Sequence, residues 1–156
     1  MNEAFIYLAS GSPRGREVLA ELGVQFEVCV TDIDESSPGD EASDAYVRRM
    51  AATKARTALA RLPSRRAPVL GADTTVCIGR DRLGKPADRA AGAAMLRRLS
   101  GCEHEVLTAV AIDDGEREAV AVSRTSVRFR PLADAEIDAY WATGEPRDKA
   151  GGYAIQ

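Results

Sequence analysis

The carboxylate of Asp73 stands in the segment GADTTV, between an apolar stretch and a run of small polar residues. An aspartate at such a junction can reach a cleft and act there as a general base or as an oxygen ligand for a divalent cation. Glu35 and Asp34, within the acidic stretch TDIDESSPGD, could add further oxygen ligands. Acidic stretches are more often only solvated, and an aspartate that caps a turn explains Asp73 equally well.

A second group of candidate residues lies in the segment LASGSPR, where an apolar stretch gives way to the start of a predicted helix. Free backbone N–H groups and the helix dipole favour an anion at this position, next to Ser10 and Ser12. Arg14 could add a bidentate contact to the same anion. Ser12 followed by Pro13 is also simply a favourable helix start, and on this segment alone that interpretation is preferred.

Lysine is rare in this chain, since only Lys54, Lys85 and Lys149 occur among 21 Lys and Arg residues. Since arginine is otherwise preferred, a position that keeps lysine is a candidate for a site that needs a compact ammonium group rather than a planar guanidinium. Lys149 shortly precedes two glycines that would let a ligand approach the backbone, although it could simply pair with Asp148. Each lysine alone is more often a surface charge. Together with Arg14 and the carboxylates, the three lysines indicate a pocket for a triphosphate and Mg²⁺.

The overall charge argues against a nucleic-acid polymer as a partner, because 24 Asp and Glu residues outnumber 21 Lys and Arg residues. With 45% hydrophobic and 29% charged residues, the 156-residue chain is typical of a single globular domain. The apolar start AFIYLA is too short for a membrane span or a signal segment. The three cysteines are widely spaced and odd in number, which favours reduced, mostly buried thiols and a cytoplasmic protein. The single histidine, His104, excludes a multi-histidine metal site.

The elements that must position these residues alternate between strands and helices, as judged from hydrophobic periodicity and from cap and turn residues. Strands are predicted at 4–9, 24–30, 104–112 and 118–129, helices at 13–22, 43–62, 88–99 and 134–142, and a strand pair or one bent strand at 69–79. Residues 79–86 are predicted to form a turn, and Asp113-Asp114-Gly115 is typical of a hairpin. This pattern predicts an α/β fold with a mixed sheet.

Several ordered blocks of the sequence resemble a known family, the Maf nucleoside triphosphate pyrophosphatases, also called septum-formation inhibitor Maf. The blocks are LASGSPR, YVRRMAATKA, GADTTV, GKP followed by AAMLRRLSGCEHEVLTAV, SVRF and TGEPRDKAGGYAIQ, and they span nearly the whole chain. The resemblance implies a mixed twisted sheet flanked by helices, with two lobes and a cleft between them, which is the Maf/ITPase-like fold. It also implies a homodimer, and hydrolysis of a nucleoside triphosphate between its α and β phosphates with Mg²⁺ or another divalent metal such as Mn²⁺.

The resemblance further implies roles for individual residues of this chain. Asp73, at the position of the family's GAD aspartate, would accept the proton of the attacking water and would hold the metal together with Glu35. The phosphate-contact positions of the family correspond here to Ser10, Ser12, Lys54 and Lys85.

Three positions that are associated with base choice in the family correspond to Arg14, Thr74 and Gln156. This set is similar to the branch that acts on dTTP and UTP, so we expect pyrimidine substrates, modified ones included, and a role in cleaning the nucleotide pool. The amide of Gln156 offers both a donor and an acceptor to a uracil or thymine edge. Two alternatives stay open, namely a nucleotide-binding regulator of cell division with little or no turnover and a 7-methyl-GTP pyrophosphatase.

The sequence departs from the family pattern in two places. Gly15 stands where the family usually has a second arginine after the proline, which removes one candidate phosphate contact. The family also continues beyond the position of Gln156. Residues 1–156 are therefore expected to form a single Maf-like domain that lacks the family's C-terminal portion, with consequences for activity and dimerisation.

Overall fold

A computed structural model describes residues 5–64 and 67–155 of the chain. The strands in this part of the chain are β1 (Phe5–Ala9), β2 (Gln25–Val28), β3 (Val69–Ile78), β4 (Asp81–Leu83), β5 (Glu103–Asp113) and β6 (Glu118–Arg128). The helices are α1 (Pro13–Glu21), α2 (Ser43–Arg61), α3 (Arg89–Leu99) and α4 (Asp134–Ala142), and two short 3₁₀ turns follow at Glu145–Asp148 and Ala150–Gly152. None of the helices in these residues is both long and apolar enough to cross a membrane.

The strands form one mixed sheet in the order β2-β1-β3-β5-β6, with β4 paired to β3. β1 runs parallel to both β2 and β3, whereas β4 runs antiparallel to β3. β5 and β6 are neighbours joined by the turn at 114–117, which is the predicted hairpin. The prediction of an α/β fold with a mixed sheet and flanking helices is confirmed.

For the stretch at 69–79 the structure decides between the two predicted alternatives, because it is one ten-residue strand, β3, and not a strand pair. One prediction about strands needs correction. The predicted turn at 79–86 contains β4, which was not predicted. Gly79 adopts a positive φ of 60° and reverses the chain, so that Leu83 pairs with Val76. A strand of three residues is too short to produce a hydrophobic period in the sequence.

The chain divides into two compact units, as the expectation of two lobes requires. Unit 1 comprises Met1–Asp73 and Thr108–Ser123, and unit 2 comprises Thr74–Leu107 and Arg124–Gln156. In unit 1, Leu8 of β1 packs beside Gly15 of α1, whereas Gly71 of β3 faces α2. Ala9, the residue after Leu8, pairs with Gly71. Successive strand residues point to opposite faces, so Leu8 and Gly71 face opposite sides of the sheet. The two helices therefore cover opposite faces of this part of the sheet.

The core of unit 2 is formed by buried side chains from β3, β4, α3, α4 and the end of the chain, namely Val76, Leu83, Ala93, Leu96, Leu99, Ile137 and Tyr153. All three cysteines are free. Cys77 is buried and Cys29 is half-buried, but Cys102 is exposed, so the prediction of mostly buried thiols is wrong for Cys102. Cys102 lies directly before β5.

His104 lies inside unit 2 with only 3% of its surface exposed, and its burial lowers the pKa of the imidazole. An unfolded chain takes up a proton at this residue near pH 6.5, whereas the folded chain takes it up only at lower pH. We therefore expect the free energy of unfolding to decrease as the pH falls below about 6.5. Urea unfolding at pH 7.5 and pH 5.5 tests this, with His104→Gln as the reference. If the original chain and His104→Gln lose the same stability between these pH values, the expectation is wrong.

Candidate active site

Lys54 of α2 and Asp73 of β3 form the central contact of the candidate site. The Nζ atom of Lys54 donates to Oδ1 of Asp73 at 2.7 Å and lies 3.5 Å from the carbonyl oxygen of Ala72. Only 17% of the Lys54 side chain and 14% of the Asp73 side chain are exposed. The packing of α2 on β3 therefore brings Lys54 and Asp73 together, although they are 19 positions apart in the sequence. Each of them was predicted as a site residue on separate grounds.

This packing depends on small residues at the point where α2 crosses β3. A methyl group added to Gly71 would collide with the carbonyl oxygen of Ala51 and would lie 2.8 Å from the amide nitrogen of Ala55. Gly71 and Asp73 are two residues apart on β3 and so share the face that meets α2. Lys54 lies between Ala51 and Ala55 in the sequence, and the close approach of helix and strand lets its side chain reach Asp73.

Glu35 comes to the same ammonium group from the acidic loop between β2 and α2. Its Oε1 atom lies 3.6 Å from Nζ of Lys54, and 62% of its side chain is exposed. The loop is fastened to α2 by two side chains of the helix. The hydroxyl of Tyr46 donates to the carbonyl oxygen of Glu35 at 3.0 Å, and Nη2 of Arg49 donates to the carbonyl oxygen of Ser36 at 3.0 Å. These bonds hold the backbone of Glu35 and Ser36 against α2, near Lys54.

Asp34, the other acidic candidate in this loop, closes a local turn. The N–H of Ser36 donates to Oδ1 of Asp34 at 2.9 Å, and this bond holds the pKa of the carboxyl below its usual range. Asp34 therefore caps a turn within its own loop, a role that was not predicted for it.

Glu35 and Asp73 are the residues best placed to hold a divalent metal. Within residues 5–64 and 67–155, no group of three or more His, Cys, Asp or Glu side chains is arranged to bind a metal. Mg²⁺ is commonly held by one or two carboxylates together with substrate phosphates and water, rather than by an all-protein cage. Two carboxylates that approach one ammonium group, at 2.7 and 3.6 Å, fit that kind of site.

The β1–α1 loop carries the predicted serines at the start of α1. Ser12 is the N-cap residue and Pro13 is the first helical residue, as predicted, but the Ser12 side chain makes no capping hydrogen bond. Instead the N–H of Ser12 donates to Oγ of Ser10 at 3.2 Å. Arg14 is exposed and lies 3.6 Å from Glu17, a surface ion pair that contributes little to stability. The Ser12 hydroxyl is thus not used to cap the helix, and Arg14 is held only by a weak surface pair.

The other predicted site residues belong to unit 2. Thr74 and Lys85 are exposed, Thr74 on β3 and Lys85 in the loop after β4. Lys149 pairs with its neighbour Asp148 at 3.1 Å, as the simpler interpretation of that lysine expected. Gln156 lies outside the residues that the structure describes.

Sequence reasoning missed the residues that support the site. Tyr46 and Arg49 lie three positions apart, and therefore on one face of α2, ahead of Lys54. Their hydrogen bonds go to backbone carbonyl groups, which leave no trace in the sequence. The signal that could have revealed Gly71 is a glycine inside an apolar strand, which often marks the close approach of another backbone segment.

A family model described as Maf-like protein matches residues 5–156. The chain belongs to the Maf family. Several of its relatives are named dTTP/UTP pyrophosphatase. The relative from Aromatoleum aromaticum is 49% identical over an alignment that is 166 residues long with its gaps. This alignment covers 99% of this chain and 81% of that protein. The relative from Hahella chejuensis is 52% identical over 152 residues, which cover 97% of this chain and 76% of that protein.

A solved structure of the Staphylococcus aureus Ham1 protein has a similar fold. It matches with a TM-score of 0.52 at 14% sequence identity, over 83% of this chain and 72% of that chain. At this identity the likeness concerns the fold alone. It agrees with the Maf/ITPase-like architecture that the sequence resemblance implied.

Proposed function

We propose that this chain is a nucleoside triphosphate pyrophosphatase that hydrolyses dTTP and UTP to the monophosphate and pyrophosphate. The observation that carries the proposal is the 2.7 Å contact between Lys54 and Asp73, which joins a phosphate-binding candidate to a general-base candidate. The names of Maf relatives that are 49 and 52% identical support the same substrates.

Asp73 accepts the proton of the attacking water, and Lys54 orients its carboxylate. A lysine ammonium has three N–H donors, so Lys54 can bind a phosphate oxygen while it keeps its bond to Asp73. Because both side chains are mostly buried, their charges are less screened by water than those of a surface pair. The ammonium group thereby stabilises negative charge that develops on the phosphates during the reaction.

Glu35 and Asp73 would hold the divalent metal, Mg²⁺ or Mn²⁺, together with the phosphates of the substrate. When bound, the metal would neutralise phosphate charge and lower the pKa of a coordinated water. Loop tethering by Tyr46 keeps Glu35 in place for this task, because the bond is made to the backbone of Glu35 itself.

The remaining contacts are proposed from the resemblance. Ser10, Ser12 and Lys85 bind phosphates, and the uncommitted hydroxyl of Ser12 supports its part in this. Arg14, Thr74 and Gln156 select a pyrimidine base. We place this activity in a cytoplasmic homodimer that removes unwanted pyrimidine nucleotides.

A substrate panel tests the proposed function. The protein is incubated with dTTP, UTP, CTP, dGTP and 7-methyl-GTP in the presence of Mg²⁺, and kcat/KM is measured from the monophosphate formed. We expect the highest values for dTTP and UTP. A preference for 7-methyl-GTP, or tight binding of dTTP without turnover, would contradict the proposal and favour one of the two alternatives.

Lys54→Gln is expected to lower kcat/KM for dTTP by about 100-fold, the usual cost of removing one donor that stabilises transition-state charge. Arg56→Gln is the matched control, because Arg56 lies two positions away on α2 and pairs with Glu118, at 2.6 Å on the surface. The control should keep kcat/KM within about twofold, since exposed ion pairs contribute little. Equal losses in the two variants would show that Lys54 acts only through the stability of α2.

A further inference from the structure

The last described residues of the chain, 149–155, are held firmly within unit 2, and we call them the C-terminal segment. Gly151, Gly152 and Tyr153 in its middle are all buried. In the sequence the segment leads directly to Gln156, and in space it contacts the loop that carries Lys85. Gln156 and Lys85 are both substrate-binding candidates.

The deepest anchor of the C-terminal segment is a hydrogen bond between two buried side chains. The hydroxyl of Tyr153 lies 2.6 Å from Nε2 of His104, and only 8% of Tyr153 and 3% of His104 are exposed. Burial raises the pKa of Tyr153 to about 12, so the hydroxyl keeps its proton and donates to Nε2 whenever that nitrogen is unprotonated. The ring of Phe129 packs edge-on against both side chains, with centroids 5.0 Å from His104 and 4.7 Å from Tyr153.

A second contact joins the segment to the loop that carries Lys85. The N–H of Gly151 donates to the carbonyl oxygen of Gly84 at 3.0 Å, and Gly84 directly precedes Lys85. Gly151 adopts a positive φ of 73°, and a methyl group there would lie 3.0 Å from Val76. A side chain at residue 151 would therefore be strained by this φ and would crowd Val76 on β3.

A third contact fixes the residue after Tyr153. The N–H of Ala154 donates to the hydroxyl of Tyr140 on α4 at 3.0 Å. Two tyrosine hydroxyl groups thus hold adjacent residues of the segment, one through a side chain and one through the backbone. A buried hydrogen-bonded pair at this place fixes the segment more narrowly than apolar packing alone, because a hydrogen bond is directional.

We propose that His104 and Tyr153 are positioning residues of the substrate site, which fix the C-terminal segment and through Gly151 and Gly84 hold Lys85 in place to bind phosphate. This inference rests on the proposed function for the role of Lys85. Its structural half, the dependence of the Gly151–Gly84 bond on the His104–Tyr153 bond, stands independently of any substrate.

The test uses Tyr153→Phe, which removes the hydroxyl and keeps the ring. Hydrogen exchange at the Gly151 amide, followed by NMR, should become about fivefold faster once the anchor is lost. In the kinetic arm, Tyr153→Phe should raise KM for dTTP about fivefold in the original chain but less than twofold in the Lys85→Ala background, since coupled residues are not additive. Ile137→Val is the control, because it removes a buried methylene from the same core without removing a hydrogen bond.

The hydrogen-exchange experiment and the kinetic experiment together test the inference separately from the proposed function. Unchanged exchange at Gly151 in Tyr153→Phe would overturn the inference, and so would equal rises in KM with and without Lys85. A change in Ile137→Val as large as that in Tyr153→Phe would also overturn it, because general loosening of the core would then explain both. Absence of dTTP hydrolysis by the unaltered protein would contradict the proposed function and the role of Lys85, while the exchange arm still decides whether the anchor exists.

Discussion

Asp73→Asn is expected to reduce kcat for dTTP by about 10²–10⁴-fold, the usual contribution of a positioned general base. Asparagine has almost the same shape as aspartate, and its side-chain oxygen can still accept a hydrogen bond from Lys54. The fold should therefore survive, and KM should change much less than kcat. What the variant lacks is a group that can take up the proton of the attacking water.

Glu118→Gln is the matched control for this variant. Glu118 is also an acid in unit 1 that binds a cation of α2, but its partner is Arg56 on the surface. Initial rates of dTTP hydrolysis for both variants and for the unaltered protein provide the comparison. If Asp73→Asn retains kcat within about threefold, Asp73 is not the general base.

Gly71→Ala is expected to lower the free energy of unfolding by about 3 kcal/mol, at the upper end of the usual cost of overpacking. The added methyl group would meet backbone atoms of Ala51 and Ala55, which cannot rotate away as a side chain can. Relief requires α2 to move off β3, and this movement separates Lys54 from Asp73. Hydrolysis should therefore fall together with stability, even though Gly71 has no reactive group.

Gly39→Ala shows whether this effect comes from the contact or from the loss of a glycine. An added methyl group at Gly39 meets no atom within 4 Å, so its effect on stability should stay within about 0.5 kcal/mol. Urea unfolding of the two variants measures the difference. A loss of less than about 1 kcal/mol in Gly71→Ala would mean that α2 and β3 can accommodate the group and that the tight crossing does not position the site.

The elements of the fold could be predicted from the sequence because their patterns are local. The helix α2 is marked by apolar residues at helical spacing before Pro63, and the turn between β5 and β6 by its Asp-Asp-Gly sequence. Lys54 and Asp73 were predicted as site residues on separate grounds, and the structure places them in contact. The assignment of catalytic and binding roles to them remains a prediction.

The supporting contacts could not be predicted because they depend on distant parts of the chain. Tyr46 and Arg49 bind carbonyl groups of the acidic loop, and any residue could supply such a carbonyl. As the single histidine, His104 excludes a multi-histidine metal site, but nothing in the sequence around it indicates its actual partner. That partner is Tyr153, 49 positions further on. Long-range pairings of this kind are fixed by tertiary packing and not by local pattern.

The most direct test of the proposed function is the identity of the products formed from dTTP. The protein is incubated with dTTP and Mg²⁺, and the reaction is followed by phosphorus NMR. Hydrolysis between the α and β phosphates predicts dTMP and pyrophosphate in equal amounts, and at most about 1% of either with Asp73→Asn over the same time. Formation of dTDP and orthophosphate, or unchanged dTTP, would contradict it.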